Sequence, residues 1–283
     1  MSDHGLPPPP VLRSWKGETF DLASIYSAAG ISTSIFLDAP EGRFIVECGD
    51  CTVRDMIELE RYQREAGGPS PRIDLQNAGE GVKCVLISHG HYDHYAGLLT
   101  LLNFLQLLGR RSPLPVVYPE GSDPIESLVD HFSDHLWEDR LFDIDLVPLK
   151  DRDRMVVSGV LIEARSTIHR NSRPGAVGGT LPSLSFRLTA KGETVVFTGD
   201  TGESEVLEEL VRGCDLAVIE ATFPEPGFGA DGVHLTTDQA LELGSLAKNR
   251  LLIHFTAGSY EKLLGTGVDP GPLNRTDPRA GKP

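Results

Sequence analysis

Basic residues are scarce in this chain of 283 residues. Its 26 lysines and arginines stand against 41 aspartates and glutamates, for a formal net charge of −15. An acidic field of that size repels polyanions at physiological salt, which weighs against a large structured RNA as a partner. Arg110 with Arg111, and Arg170 with Arg173, are the basic clusters, and each is read as a solvated face. Cysteine is scarce too: four residues do not make a disulfide framework. Cys48 and Cys51 form a C-x-x-C pair, but no second pair follows and Cys84 lies inside an apolar run, so all are read as small packing residues. An apolar run of membrane-spanning length is missing, as is a basic-then-apolar leader. The expectation is a cytoplasmic protein with no membrane partner. No internal repeat is evident.

What is present is the ordinary make-up of a globular domain, 40 % hydrophobic and 24 % charged. Residues 1–15, with a four-proline run, are expected to form a flexible extension and residues 265–283, rich in Gly, Pro and charge, a flexible tail. A single domain over 16–264 is expected between them. Strand patterns cover 31–37, 43–47, 83–88, 114–118, 142–149, 154–165, 184–189, 194–198, 216–220 and 250–255. Helical patterns cover 54–66, 95–108, 124–137, 204–212 and 237–247. The segment 67–71 reads as a loop. Strands and helices mix throughout both halves, which predicts one α/β domain with layered sheets.

The densest chemistry lies in His89-Gly90-His91-Tyr92-Asp93-His94, directly after the apolar run Val85-Leu86-Ile87-Ser88. Core packing has no use for three imidazoles and a carboxylate in six residues. A divalent cation does, because neutral imidazole suits zinc and aspartate adds an oxygen. One loop cannot close a two-ion site. Further candidates stand at or near strand ends: His169, Asp200 after Thr198-Gly199, and His254 after Leu251-Leu252-Ile253. His131 and His135, four apart on a helical pattern, are read as solvated, and His4 is left over.

This order of residues resembles the metallo-β-lactamase superfamily over about residues 31–260. The resemblance implies a four-layer αββα sandwich with two mixed β-sheets and a metal cleft along one edge. It further implies that His89, His91 and His169 hold one ion, that Asp93, His94 and His254 hold a second, and that Asp200 bridges them. The ions would be zinc first, with manganese or iron as alternatives the same ligands admit. Ile219-Glu220-Ala221-Thr222, with Val233-His234 downstream, is similar to the ribonuclease Z branch; Cys48-Gly49-Asp50 fits its early strand-then-glycine turn loosely. That resemblance implies a phosphodiesterase whose nucleophile is a metal-bound hydroxide, with His234 protonating the leaving oxygen, Glu220 orienting His234, and Asp93 at the reacting centre. The basic glycine-rich arm of long ribonuclease Z proteins and the branch's N-terminal glycine-rich signature are absent. With the acidic charge, this favours a small or short phosphodiester, as in cyclic nucleotide phosphodiesterases. A lactonase or other ester or amide hydrolase on the same metals is the alternative, in which Glu220 and His234 only shape the pocket. A di-iron redox role is a third reading. A homodimer rests on the resemblance alone.

Overall fold

Residues 12–65, 78–133, 140–170, 180–226 and 232–267 are described by a computed structural model. The first half runs β1 (Arg13–Lys16), β2 (Asp21–Ser24), β3 (Ser27–Ala28), β4 (Ser32–Ala39), β5 (Gly42–Cys48), α1 (Thr52–Glu65), α2 (Ala78–Gly81), β6 (Val82–Leu86), α3 (Tyr92–Tyr95), α4 (Leu98–Leu107), β7 (Leu114–Pro119), α5 (Asp123–His131) and β8 (Ile144–Leu149). The second half runs β9 (Arg154–Val157), β10 (Val160–Ser166), β11 (Leu184–Ala190), β12 (Glu193–Phe197), α6 (Glu205–Val211), β13 (Leu216–Glu220), α7 (Thr237–Gly244), β14 (Arg250–Ile253) and α8 (Ala257–Gly265).

The strands form two mixed sheets. One has the order β1-β2-β4-β5-β6-β7-β8 with β3 paired to β4, and the other β14-β13-β12-β11-β10-β9. Each is antiparallel at one side and parallel at the other: β5 to β8 are parallel neighbours, as are β12 to β14. Period-2 alternation explains the layering. On β12, Val195 and Phe197 face the core between the sheets while Val196 faces α6 and α7; on β6, Cys84 and Leu86 face inward and Val85 faces the helices of the first half. Three cores result, one between the sheets and one under each helical layer, which is the αββα sandwich. Strands buried on both faces read as continuous apolar runs, as residues 84–87 and 216–219 do.

Several expected boundaries shift for local reasons. The helix expected over 95–108 begins only at Leu98, as α4, because the chain turns at Ala96-Gly97 after the short α3 ends at Tyr95. There a Cβ on residue 97 would stand 2.0 Å from the Gly49 carbonyl oxygen, so glycine alone allows the close approach that lets the Gly97 N–H reach Cys48 O at 2.9 Å. The strand expected over 154–165 is a hairpin. Ser158 (φ 46°) and Gly159 (φ 76°) both take the left-handed conformation that a tight two-residue turn requires. Strand structure begins at Arg13, inside the expected extension, and pairs with β2 to make an outer hairpin. The loop 67–71 and the histidines His4 and His135 lie outside the described residues, as does the tail from 268 onward.

Arg110 corrects a second expectation. It is buried rather than solvated, and its guanidinium donates to the carbonyls of Gly79, Val82, Ser112 and Pro113. It closes the backbone ends around β6 and β7. Five fixed donors suit that task, and sequence proximity to an exposed Arg111 concealed it. Cys48 and Cys84 are buried free thiols, as packing residues would be, and burial pushes the Cys48 thiol up to about 12. No described helix is long and apolar enough to cross a membrane.

Candidate metal centre

The C-terminal ends of the parallel strands meet at one edge of the sandwich, the usual place for a site in α/β sheets. β6 runs into His89, β12 into Asp200, β13 ends on Glu220 and β14 runs into His254. His169 follows β10 from the second sheet. The two sheets therefore contribute separately. His89, His91, Asp93 and His94 come from the first, and His169, Asp200 and His254 from the second.

Candidate ligand atoms gather within 4.8 Å of one another in three overlapping groups: His89, His91, His169 and Asp200; Asp93, His94 and His254; and Asp200, His234 and His254. Asp200 stands in two of them. Its Oδ2 lies 3.3 Å from His94 Nε2, 3.4 Å from His254 Nε2 and 3.7 Å from His89 Nε2. His131 sits on α5 and belongs to none of these groups.

The outward ring nitrogens are held by protein atoms, so the inward ones converge. His89 Nδ1 contacts Ser88 Oγ at 2.9 Å, His169 Nδ1 donates to Val233 O at 2.9 Å, and His254 Nδ1 contacts Thr222 Oγ1 at 2.8 Å. His94 Nδ1 lies 3.3 Å from Glu47 Oε2, close enough for charge attraction though outside hydrogen-bond geometry. Fixing one nitrogen of each ring in this way sets tautomer and orientation, as the outer partners of ligating histidines do.

The inward side tests whether a cation fits. His169 Nε2 faces His91 Nδ1 at 3.1 Å, and His94 Nε2 faces His254 Nε2 at 3.3 Å. Nitrogens about 2.0–2.1 Å from a tetrahedral ion stand about 3.3–3.4 Å apart; the second pair matches and the first is about 0.2 Å closer. His89 Nε2 is buried with no hydrogen-bond partner. The ion-pair partners of Glu47, Asp93, Asp200 and Glu220 among the described residues are all histidines. Four buried carboxylates facing imidazoles leave a demand for positive charge that a divalent ion meets.

The electrostatics follow this arrangement. Burial, reinforced by neighbouring imidazoles, holds His89 well below its ordinary pKa and brings His91 down to about 4; burial also lowers His169. These three are neutral at neutral pH, the ligating form. Burial opposes charge on His94, but Asp200, Asp93 and Glu47 outweigh it and hold its pKa well above the ordinary value. Burial likewise opposes ionisation of Asp93 and Asp200, and their histidine neighbours overcome it and keep both carboxyls well below their usual range.

Beside the cluster, His234 Nδ1 lies 3.0 and 3.2 Å from the two Glu220 oxygens. Burial works against its charge, and the Glu220 carboxylate reverses that, raising His234 to about 9. Thr222 Oγ1 donates to Glu220 Oε2 and also touches His254 Nδ1, tying the two histidines together. His234 and His254 each stand two residues before the threonine that opens a helix with a capping box, Thr236 for α7 and Thr256 for α8. The capped turns fix where each histidine leaves the backbone.

Glu47 and Thr222 were not singled out from sequence. Glu47 is the extra residue of a bulge in β5, between Val46 opposite Ile35 and Cys48 opposite Ser34. Its φ of 62° is left-handed, and the bulge turns its carboxylate to the Ser88 N–H at 3.1 Å and to His94. A charged residue closing the apolar run Phe44-Ile45-Val46 was the available signal. Thr222 lies within the Glu-Ala-Thr segment already noted. His254 is also left-handed, at φ 58°. Such backbone is uncommon for a non-glycine residue and recurs at sites under functional constraint.

A family model for the beta-lactamase superfamily domain matches residues 60–255. The chain belongs to the metallo-β-lactamase superfamily. Within it, the chain is 26 % identical over 279 residues to the ribonuclease Z of Bacillus subtilis, covering 83 % of this chain and 86 % of that protein. Two crystal structures share the fold. The metallo-beta-lactamase fold protein YhfI from Bacillus subtilis matches with a TM-score of 0.63 at 17 % identity, over 85 % of this chain and 90 % of that one. Human tRNase Z, short form, matches with a TM-score of 0.61 at 19 % identity, over 83 % and 92 %. This superfamily member is a metal-dependent hydrolase, with clusters of His and Asp suited to divalent ions.

Proposed function

We propose that this hydrolase cleaves phosphodiesters, with His89, His91, His169, Asp93, His94 and His254 holding two zinc ions and Asp200 shared between them. The observation that carries the phosphodiester reading is His234 pinned by Glu220 at 3.0 Å beside the ligand cluster. The sequence likeness to ribonuclease Z supports it. When bound, a pair of divalent ions supplies an activated water and neutralises charge on the substrate and transition state.

The chain's own residues do the rest. Glu220 occupies His234 Nδ1, which leaves Nε2 as the nitrogen that hands a proton to the leaving oxygen. A poor alkoxide leaving group needs that proton, whereas p-nitrophenolate does not. Thr222 holds Glu220 and His254 in one geometry, so proton donor and ligand keep a fixed separation. Glu47 does the same for His94. Asp93 accepts from the Gly30 N–H at 2.7 Å and faces His254 Nε2 at 3.0 Å, which fixes its carboxylate toward the reacting centre. The net charge of −15 favours a short substrate over a large structured RNA.

The test offers purified protein, with zinc or manganese added, bis-p-nitrophenyl phosphate and a panel of acyl-lactones. Turnover of the phosphodiester is expected; turnover of lactones alone overturns the reading. His234→Ala is expected to keep its metal content and to slow cleavage of an alkyl-leaving phosphodiester by roughly 10²–10⁴-fold, with a smaller loss on the p-nitrophenyl ester. Equal losses on both would remove His234 from proton transfer.

A further inference from the structure

Exposed apolar side chains are unevenly distributed over the molecule. Of the seven large ones among the described residues, three stand next in the chain to a candidate ligand or to a residue bound to one. Tyr92, 73 % exposed, stands between His91 and Asp93. Ile168, 43 % exposed, precedes His169. Ile31, 45 % exposed, follows Gly30, whose N–H is bound to Asp93. Exposed apolar surface beside a polar site is a candidate contact for a ligand. The Tyr92 ring packs edge-on to Tyr95, with centroids 5.7 Å apart and planes at 66°. That contact fixes the ring plane while most of the ring stays open.

We propose that Tyr92 is a platform on which a nucleobase of the substrate stacks beside the histidine cluster. This rests on the phosphodiester reading and names the substrate class as nucleotides. The charge balance favours stacking over phosphate contacts as the source of affinity: the chain carries −15 overall and buries four carboxylates at the site. A planar aromatic face grips a base without cations and accepts any of the four.

Binding of uridine monophosphate and of ribose 5-phosphate to the metal-loaded protein, measured by calorimetry, tests the platform, because the two ligands differ chiefly by the base. The nucleotide is expected to bind roughly 5- to 150-fold more tightly. Tyr92→Ala should erase most of that preference and Tyr92→Phe should retain it, with metal content measured in each. Equal affinity for both ligands in the wild type overturns the platform. So does a preference that survives Tyr92→Ala, or equal weakening of both ligands, which would mean that the tyrosine only supports the site. Bis-p-nitrophenyl phosphate turnover separates the two levels. If it proceeds while the base preference is absent, the platform alone fails. If it is absent and lactones turn over, the phosphodiester reading fails and the platform with it.

Discussion

At the scale of single residues, the candidate metal centre is shaped by the atoms that face away from it. An imidazole has two nitrogens, and a site built from five of them works only if each presents the correct one. Ser88, Val233 O and Thr222 make that choice for His89, His169 and His254, and the Glu47 carboxylate lies 3.3 Å from the outward nitrogen of His94. Thr222 is the most exposed to test, because its hydroxyl serves both His254 and Glu220. Thr222→Val keeps the shape and removes the hydroxyl. Losing an outer partner of this kind costs roughly 10–100-fold in metal affinity, so competitive chelator titration should show that weakening with the fold intact by circular dichroism. Unchanged affinity would mean that the His254 ring is oriented by packing alone.

At the scale of elements, strand ends and bends decide which side chains arrive. His89, Asp200 and His254 were legible in the sequence because each closes an apolar run, and an apolar run is a strong signal of a buried strand. His169 had a weaker signal, since a short polar step separates it from β10, yet Leu181 N–H to His169 O at 3.0 Å anchors it across the sheet edge. The bulge that aims Glu47 left no signature, because it depends on pairing between β4 and β5 rather than on composition. The bend after α3 leaves no signature for the same reason: the helical pattern runs on from Tyr95, and only the approach of Gly97 to Gly49 shows why α4 starts at Leu98. A methyl group there meets a backbone carbonyl that cannot give way. Gly97→Ala should cost about 3 kcal/mol, the upper end for overpacking, read as a lowered urea midpoint. A change below about 0.5 kcal/mol, the scale of an ordinary surface substitution, would show that the α3–α4 bend does not need the close approach.

At the scale of the whole molecule, the two sheets share a hydrophobic core, and the candidate metal centre spans their common edge. His89 to His94 belong to one sheet and His169, Asp200 and His254 to the other, so bound ions would cross-link the layers. Whatever binds only the folded state stabilises it. With ions at about 1,000 times their dissociation constant that is about 4 kcal/mol, or roughly 8–16 °C in Tm for a chain of this size. Dialysis against a chelator should lower the melting temperature by about that amount, and zinc should restore it. The layering itself was legible from alternating strands and mixed element order. The outer hairpin β1–β2 was not, because Leu12 to Ser24 is short, polar at intervals and adjoins a proline run that reads as unstructured.

Anomalous diffraction at the zinc edge from crystals grown with zinc tests the convergence of these residues most directly. The expected result is two peaks about 3.5–4 Å apart, one among His89, His91 and His169, the other among Asp93, His94 and His254, with Asp200 touching both. Peaks elsewhere, or none within reach of Asp200, would contradict the metal centre and the hydrolytic chemistry built on it.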